Sequence, residues 1–126
     1  MANVFTNGCF DLLHEGHKHL LKECSKLGVV YVGINSDASV KRLKGPSRPM
    51  WNQYKRKEEL LKLSYINSVH IFEEDTPYEL IKLLKPDVLV KGFDYLDKKV
   101  VGENLVGELV FIPLLEGFST TSLIGL

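Results

Sequence analysis

The sequence predicts an α/β fold in which a parallel sheet carries helices on both faces. Short apolar strand candidates alternate along the chain with amphipathic helical segments. One of them, Val29-Val30-Tyr31-Val32-Gly33-Ile34, is almost continuously β-branched or aromatic, as in a strand buried on both faces. The unusual polar residues follow strands one, two and four, where ligands collect in such folds.

The elements follow in order. Asn3 to Thr6 reads as a first strand running into an Asn7-Gly8 turn. His17 to Leu27 places Leu20, Leu21, Cys24 and Leu27 on one helical face, with Gly28 as its stop. The second strand ends in Asn35-Ser36-Asp37, a polar cluster suited to a turn or a cap. Lys41 to Lys57 reads as a basic loop leading into a helix around Arg56 to Leu63. Ser68 to Phe72 is a third strand. Thr76, Pro77 and Glu79 then fit the N-cap, N1 and N3 positions of a capping box, and Pro86 closes that helix. Asp87 to Lys91 and Val110 to Leu114 are further strands, separated by a polar stretch with no clear period. Ser119 to Ile124 reads as the start of a terminal helix.

A length of 126 residues suits one domain, expected to span residues 1–126, with a core that needs no disulfide. Sixteen basic and sixteen acidic side chains give no net charge, which argues against a broad nucleic-acid footprint. Cys9 and Cys24 form no metal-binding spacing and are read as reduced thiols. No signal peptide or membrane-spanning run is visible, so a cytoplasmic protein is expected, with no membrane partner.

The richest stretch is Asn7-Gly8-Cys9-Phe10-Asp11-Leu12-Leu13-His14-Glu15-Gly16-His17. Two histidines flank a glycine just where a helix begins. A helix N-terminus favours an anion, Gly16 admits a phosphate close to the backbone, and imidazoles donate to phosphoryl oxygens. Two histidines are too few for a metal site. The run is not a Walker A loop, which needs a lysine followed by Ser or Thr, nor a three-glycine dinucleotide fingerprint.

With these residues the sequence resembles the cytidylyltransferase-like nucleotidyltransferases, a Rossmann-like superfamily with an HxGH motif. It most resembles the adenylyltransferase domain of the bifunctional ADP-heptose synthase, which transfers AMP from ATP to heptose 1-phosphate in lipopolysaccharide precursor synthesis. The likeness runs through Asn35-Ser36-Asp37, Arg42-Leu43-Lys44-Gly45-Pro46, Glu74-Asp75-Thr76-Pro77, Lys91-Gly92, Asp94-Tyr95 and Ser119-Thr120-Thr121. It implies catalytic roles for His14, His17 and Lys44. It implies nucleotide binding by Thr6, Asn7, Gly8, Cys9, Phe10, Asp11, Gly16, Lys91, Gly92, Asp94, Ser119, Thr120 and Thr121, the Cys9 thiol itself being read as packing. Arg56 and Asp37 are assigned to the acceptor, and Asp11 to help in placing Mg2+. Trp51 either packs in the core or lies over a substrate.

The implied partners are a nucleoside triphosphate and a phosphorylated small-molecule acceptor. Dimerisation, common in the superfamily, is carried over as an expectation. The bifunctional enzyme's kinase domain has no counterpart here, which implies a separate sugar kinase or another acceptor. The segments Met50 to Tyr54 and Gly102 to Val110 depart from the heptose pattern. Two rival readings follow: a CTP-using glycerol 3-phosphate enzyme, and a non-catalytic nucleotide-binding protein.

Overall fold

The computed structural model describes residues 1–113. Five strands form one parallel sheet in the order β3-β2-β1-β4-β5. They are β1 (Asn3–Gly8), β2 (Val29–Asn35), β3 (Ser68–Phe72), β4 (Val88–Gly92) and β5 (Glu108–Ile112). The helices are α1 (Glu15–Ser25), α2 (Asp37–Lys44), α3 (Gln53–Leu61) and α4 (Tyr78–Leu84), with short 3-10 turns at Phe93–Tyr95 and Glu103–Leu105. The expected α/β class holds.

Alternation along the strands splits the core in two. Val4, Val30, Val32, Val88 and Val90 face Leu21 and Cys24 of α1 and Leu60 of α3. Phe5 and Leu89 face the other way, onto Ile81 of α4 and Val100. Helices thus cover both faces. Cys9 and Cys24 are free thiols, and burial pushes the Cys24 thiol up to about 12. Among the described residues no helix is long and apolar enough to cross a membrane.

Several local expectations change. Helix α1 starts at Glu15, not His17, because His14 caps it. It ends at Ser25 with Lys26 as C-cap, so Gly28 is not its stop. A Cβ at Gly28 would lie 2.1 Å from the Ala2 carbonyl oxygen, so the glycine serves the close approach of the chain to β1. Asp37 to Lys44 is helical rather than a turn and basic loop. Ser36 caps it by accepting from the Ser39 N–H at 3.1 Å, and Val40 is its buried anchor. The proposed capping box at Thr76 does not form. Pro77 occupies the N-cap position of α4 without a side-chain cap bond, and Thr76 lies in a cleft wall instead. Leu114 and the expected terminal helix lie outside the described residues.

Candidate active site

The β1–β2 ladder pairs six positions, from Asn3↔Val29 to Gly8↔Ile34. The β1–β4 register has two, Val4↔Val88 and Phe5↔Leu89. Beyond them the strands part, joined by the Thr6 hydroxyl donating to the Val90 carbonyl at 3.0 Å. The strand order reverses at this same place, so the topology sites a crevice there. A cleft of about 490 Å³ fills it. Thr6, Asn7, Gly8, Cys9, Phe10, Asp11, His14, Gly16 and His17 line one side, Lys44 reaches it from the end of α2, and Lys91, Gly92 and Asp94 line the β4 side. Ser119, Thr120 and Thr121 lie outside the described residues.

The two histidines form a reciprocal capping box. His14 Nδ1 accepts from the N–H groups of Gly16 at 3.0 Å and His17 at 3.3 Å, and His17 Nδ1 accepts from the His14 N–H at 3.3 Å. The i, i+3 spacing is the one that Ser-x-x-Glu uses elsewhere. Two consequences follow. The Gly16 and His17 N–H groups are engaged by imidazole, so the expectation of open amides at this helix start is corrected. Accepting at Nδ1 also places the proton of each neutral ring on Nε2. Burial first, and then the neighbouring imidazole, hold the His17 pKa down to about 3. Burial also lowers that of His14. Phe10, at φ 48°, sets its ring edge-on to His17 with centroids 5.0 Å apart.

Lys91 is buried at the end of β4. Its Nζ donates to Asn7 Oδ1 at 2.7 Å and lies 4.8 Å from the centre of the Tyr95 ring. The Cys9 thiol contacts Asn35 Oδ1 at 3.7 Å, and burial raises its pKa, which fits packing rather than nucleophilic chemistry.

Three assignments need correction. Asp11 is 1% exposed, and both its oxygens are engaged. Oδ2 accepts from Arg48 Nη1 at 3.0 Å, and Oδ1 accepts from the Met50 and Trp51 N–H groups at 2.7 and 3.1 Å. A carboxylate so occupied does not fit a magnesium ligand. Among the described residues no group of three or more His, Cys, Asp or Glu side chains is placed to hold a metal.

Arg56 does not reach the cleft. It is 1% exposed and donates to the carbonyls of Trp51 (3.0 Å), Cys9 (2.9 Å) and Asn35 (2.6 Å) and to Asp37 Oδ1 (2.9 Å). Arg56 and Asp37 therefore brace the ends of β1 and β2 instead of lining an acceptor pocket. Trp51 takes neither expected place. Its backbone links Asp11 to Arg56, while Lys55 lies 5.6 Å from its ring.

The sequence reading missed Arg48, Asn35, Tyr95 and Lys99. Arg48 is buried against Asp11, and the other three line the cleft. Arg48 stands among surface cations of the same stretch, and nothing in its spacing marks it as buried.

The model of the cytidylyltransferase-like family matches residues 5–123. The chain belongs to this family. It is accordingly a nucleotidyltransferase. The bifunctional protein HldE of a Nitratiruptor species is 56% identical over 122 residues, 96% of this chain and 26% of that protein. The HldE protein of Campylobacter jejuni (strain RM1221) is 55% identical over the same shares. The chain thus spans about a quarter (26%) of the length of these relatives. Among solved structures, the lipopolysaccharide core biosynthesis protein from Thermoplasma volcanium superposes with a TM-score of 0.76 at 28% identity, covering 92% of this chain and 99% of that one. Pantothenate synthetase from Thermus thermophilus shares the fold, with a TM-score of 0.64 at 13% identity over 91% of this chain and 56% of that one.

Proposed function

We propose that this nucleotidyltransferase moves AMP from ATP to a sugar 1-phosphate of the heptose 1-phosphate kind and releases pyrophosphate. The observation that carries the choice of substrates is the 55–56% identity to HldE proteins over 96% of the chain. The cleft supports the chemistry. An acceptor phosphate oxygen attacks the α-phosphorus, one P–O bond forms, and the bond to pyrophosphate breaks in line. No covalent enzyme intermediate is needed, so the protein contributes position and charge. His14 and His17 donate from Nε2 to phosphoryl oxygens. Lys44 and Lys91 supply positive charge from opposite walls, and Asn7 and Tyr95 hold Lys91 in place.

Magnesium enters this reading as the triphosphate's own counter-ion, and no protein residue is assigned to it. The reading extends to lipopolysaccharide precursor synthesis in the cytoplasm, to a sugar kinase activity that makes the acceptor, and to a homodimer.

The test is pyrophosphate release with ATP or CTP against heptose 1-phosphate or glycerol 3-phosphate. Turnover confined to ATP with heptose 1-phosphate is expected. Turnover only with CTP and glycerol 3-phosphate would keep the mechanism and overturn the substrates. Nucleotide binding without pyrophosphate release from any pair would favour a binding protein.

A further inference from the structure

Helix α2 is held to its surroundings largely by polar contacts, since Val40 is its only buried apolar residue. Three of these contacts form a series. Ser36, Ser39 and Arg42, spaced three apart, meet Glu73, Glu74 and Asp75 in turn. The Ser36 hydroxyl donates to Glu73 Oε2 at 2.9 Å, and the Ser39 hydroxyl donates to the Glu74 carbonyl at 2.9 Å. Arg42 Nε donates to Asp75 Oδ1 at 2.9 Å, and its Nη2 donates to the Glu73 carbonyl. The segment after β3 therefore lies along one side of α2 in three rungs, because residues three apart are neighbours on a helix surface. Both serines are buried, whereas the last rung is open to solvent, with 50% of the Arg42 side chain and 60% of Asp75 exposed.

Just past this rung both segments enter the cleft wall. Leu43 and Lys44 line the cleft from the end of α2, and Asp75, Thr76 and Pro77 line it from the other segment. The described lining does not include Arg42 itself. Lys44 makes no ion pair of its own among the described residues. The reach of its ammonium is therefore set by the backbone on which it stands. Gly45, at φ 105°, ends the helix directly after it. The next fixed point is Arg48, held by Asp11 at 3.0 Å. Lys44 thus lies between two arginine anchors. The exposed one, Arg42, contributes little to global stability. Its planar fork spans a carboxylate and a carbonyl, which fixes the direction of the helix end.

We propose that Arg42 is a positioning residue for the transfer reaction: by clasping Asp75 and the Glu73 carbonyl, it holds the end of α2 so that Lys44 meets the phosphates of the nucleotide. The inference rests on the part given to Lys44 in the reaction proposed above. Arg42 makes and breaks no bond in the reaction and acts only through Lys44.

The whole chain is titrated with ATP and, in parallel, with CTP, which carry the same triphosphate. Affinities are measured for wild type, Arg42→Met, Lys44→Met and the double variant. Lys44→Met should bind about tenfold more weakly, through loss of a charge-assisted contact. Arg42→Met should bind about fivefold more weakly, and the double variant about tenfold, no worse than Lys44→Met alone. Independent effects would multiply to about fiftyfold and would overturn the inference, since Arg42 would then act without Lys44. The charge of Arg42 acting at a distance is one such effect.

Two further variants separate position from charge. Arg42→Lys keeps the charge but cannot span both acceptors, so it should stay about threefold weaker than wild type. Asp75→Ala removes a carboxylate from the cleft wall, which by charge alone tightens a polyanion, whereas loss of the clasp loosens it. Binding about threefold weaker is expected. Wild-type affinity in Arg42→Lys, or tighter binding in Asp75→Ala, would overturn the inference. Arg42→Met should melt within about 5 °C of wild type, and a larger fall would make Arg42 a structural brace and overturn it too. Unchanged affinity in Lys44→Met would sink the part given to Lys44 in the proposed reaction, and this inference with it. Binding confined to CTP, with the double variant no worse than Lys44→Met, would overturn the proposed substrates and leave Arg42 its role. Failure of wild type to bind either nucleotide would overturn both.

Discussion

The imidazoles of His14 and His17 stack with centroids 3.7 Å apart and planes inclined by 22°, while each Nδ1 accepts the backbone N–H of the other residue. Nδ1 of each ring is thus spent on capping, and the phosphate donation proposed above falls to the other nitrogen of each.

That division is separable by mutation. His14→Asn retains a good N-cap and loses the Nε2 donor, so its stability should stay within about 0.5 kcal/mol while pyrophosphate release falls. His14→Ala should lose activity and about 1 kcal/mol as well. His17→Ala should lower turnover by roughly a hundredfold or more. Near-normal turnover in His17→Ala would remove the histidine from the chemistry.

The burial of His17 also makes stability depend on acid. Its folded pKa, about 3, lies below its ordinary value of 6.5. Between these values the unfolded chain binds a proton that the folded chain refuses, so stability is full above 6.5 and falls as the pH drops toward 3. Thermal melting of wild type and His17→Phe from neutral pH down to about pH 4 checks this. The wild type should lose more, and parallel losses would count against a neutral His17.

If Asp11 fixes the Arg48 to Trp51 segment, Asp11→Asn should cost about 3–5 kcal/mol, because Arg48 is left buried without its counter-charge. Denaturant midpoints measure this. The magnesium concentration needed for half-maximal activity should stay unchanged in whatever folded enzyme remains. A shifted magnesium requirement with normal stability would return Asp11 to the metal.

Arg56→Met should also be destabilising, since it removes the donor from three carbonyls, two of them at the ends of β1 and β2. Arg56→Lys should recover little of this, as one ammonium cannot reproduce the planar fork. Urea unfolding of both variants is the measurement. A stable Arg56→Lys with a raised acceptor KM would favour the acceptor role instead.

How much the sequence discloses follows from the range of the forces involved. The strands and the HxGH cleft are written in local signals: β-branched runs, and chemistry at strand ends. All five strands lie close to their expected places. Helix α2 is hidden because Val40 is its only buried apolar residue, and its basic end resembles a loop. The roles of Arg56 and Asp11 are hidden for another reason. Their partners lie 5 to 47 and 37 to 40 positions away, and no pattern in a linear reading distinguishes an arginine aimed at solvent from one spanning two strand ends. Cap residues are half legible. The histidine pair falls at the expected helix, but its bonding to the backbone does not show in the sequence, since histidine is not among the usual capping residues.

The two-position register between β1 and β4 has a mechanical meaning. One flank of the sheet holds β3, β2 and β1, the other holds β4 and β5, and the seam between them has the shortest ladder of the four. The cleft opens over that seam, with the end of β1 on one bank and the end of β4 on the other, so a substrate bound as proposed would touch both. Such a substrate would act as a keystone, stiffening the protein along its shortest ladder. Amide hydrogens on both banks should exchange more slowly in the bound state than in the empty one.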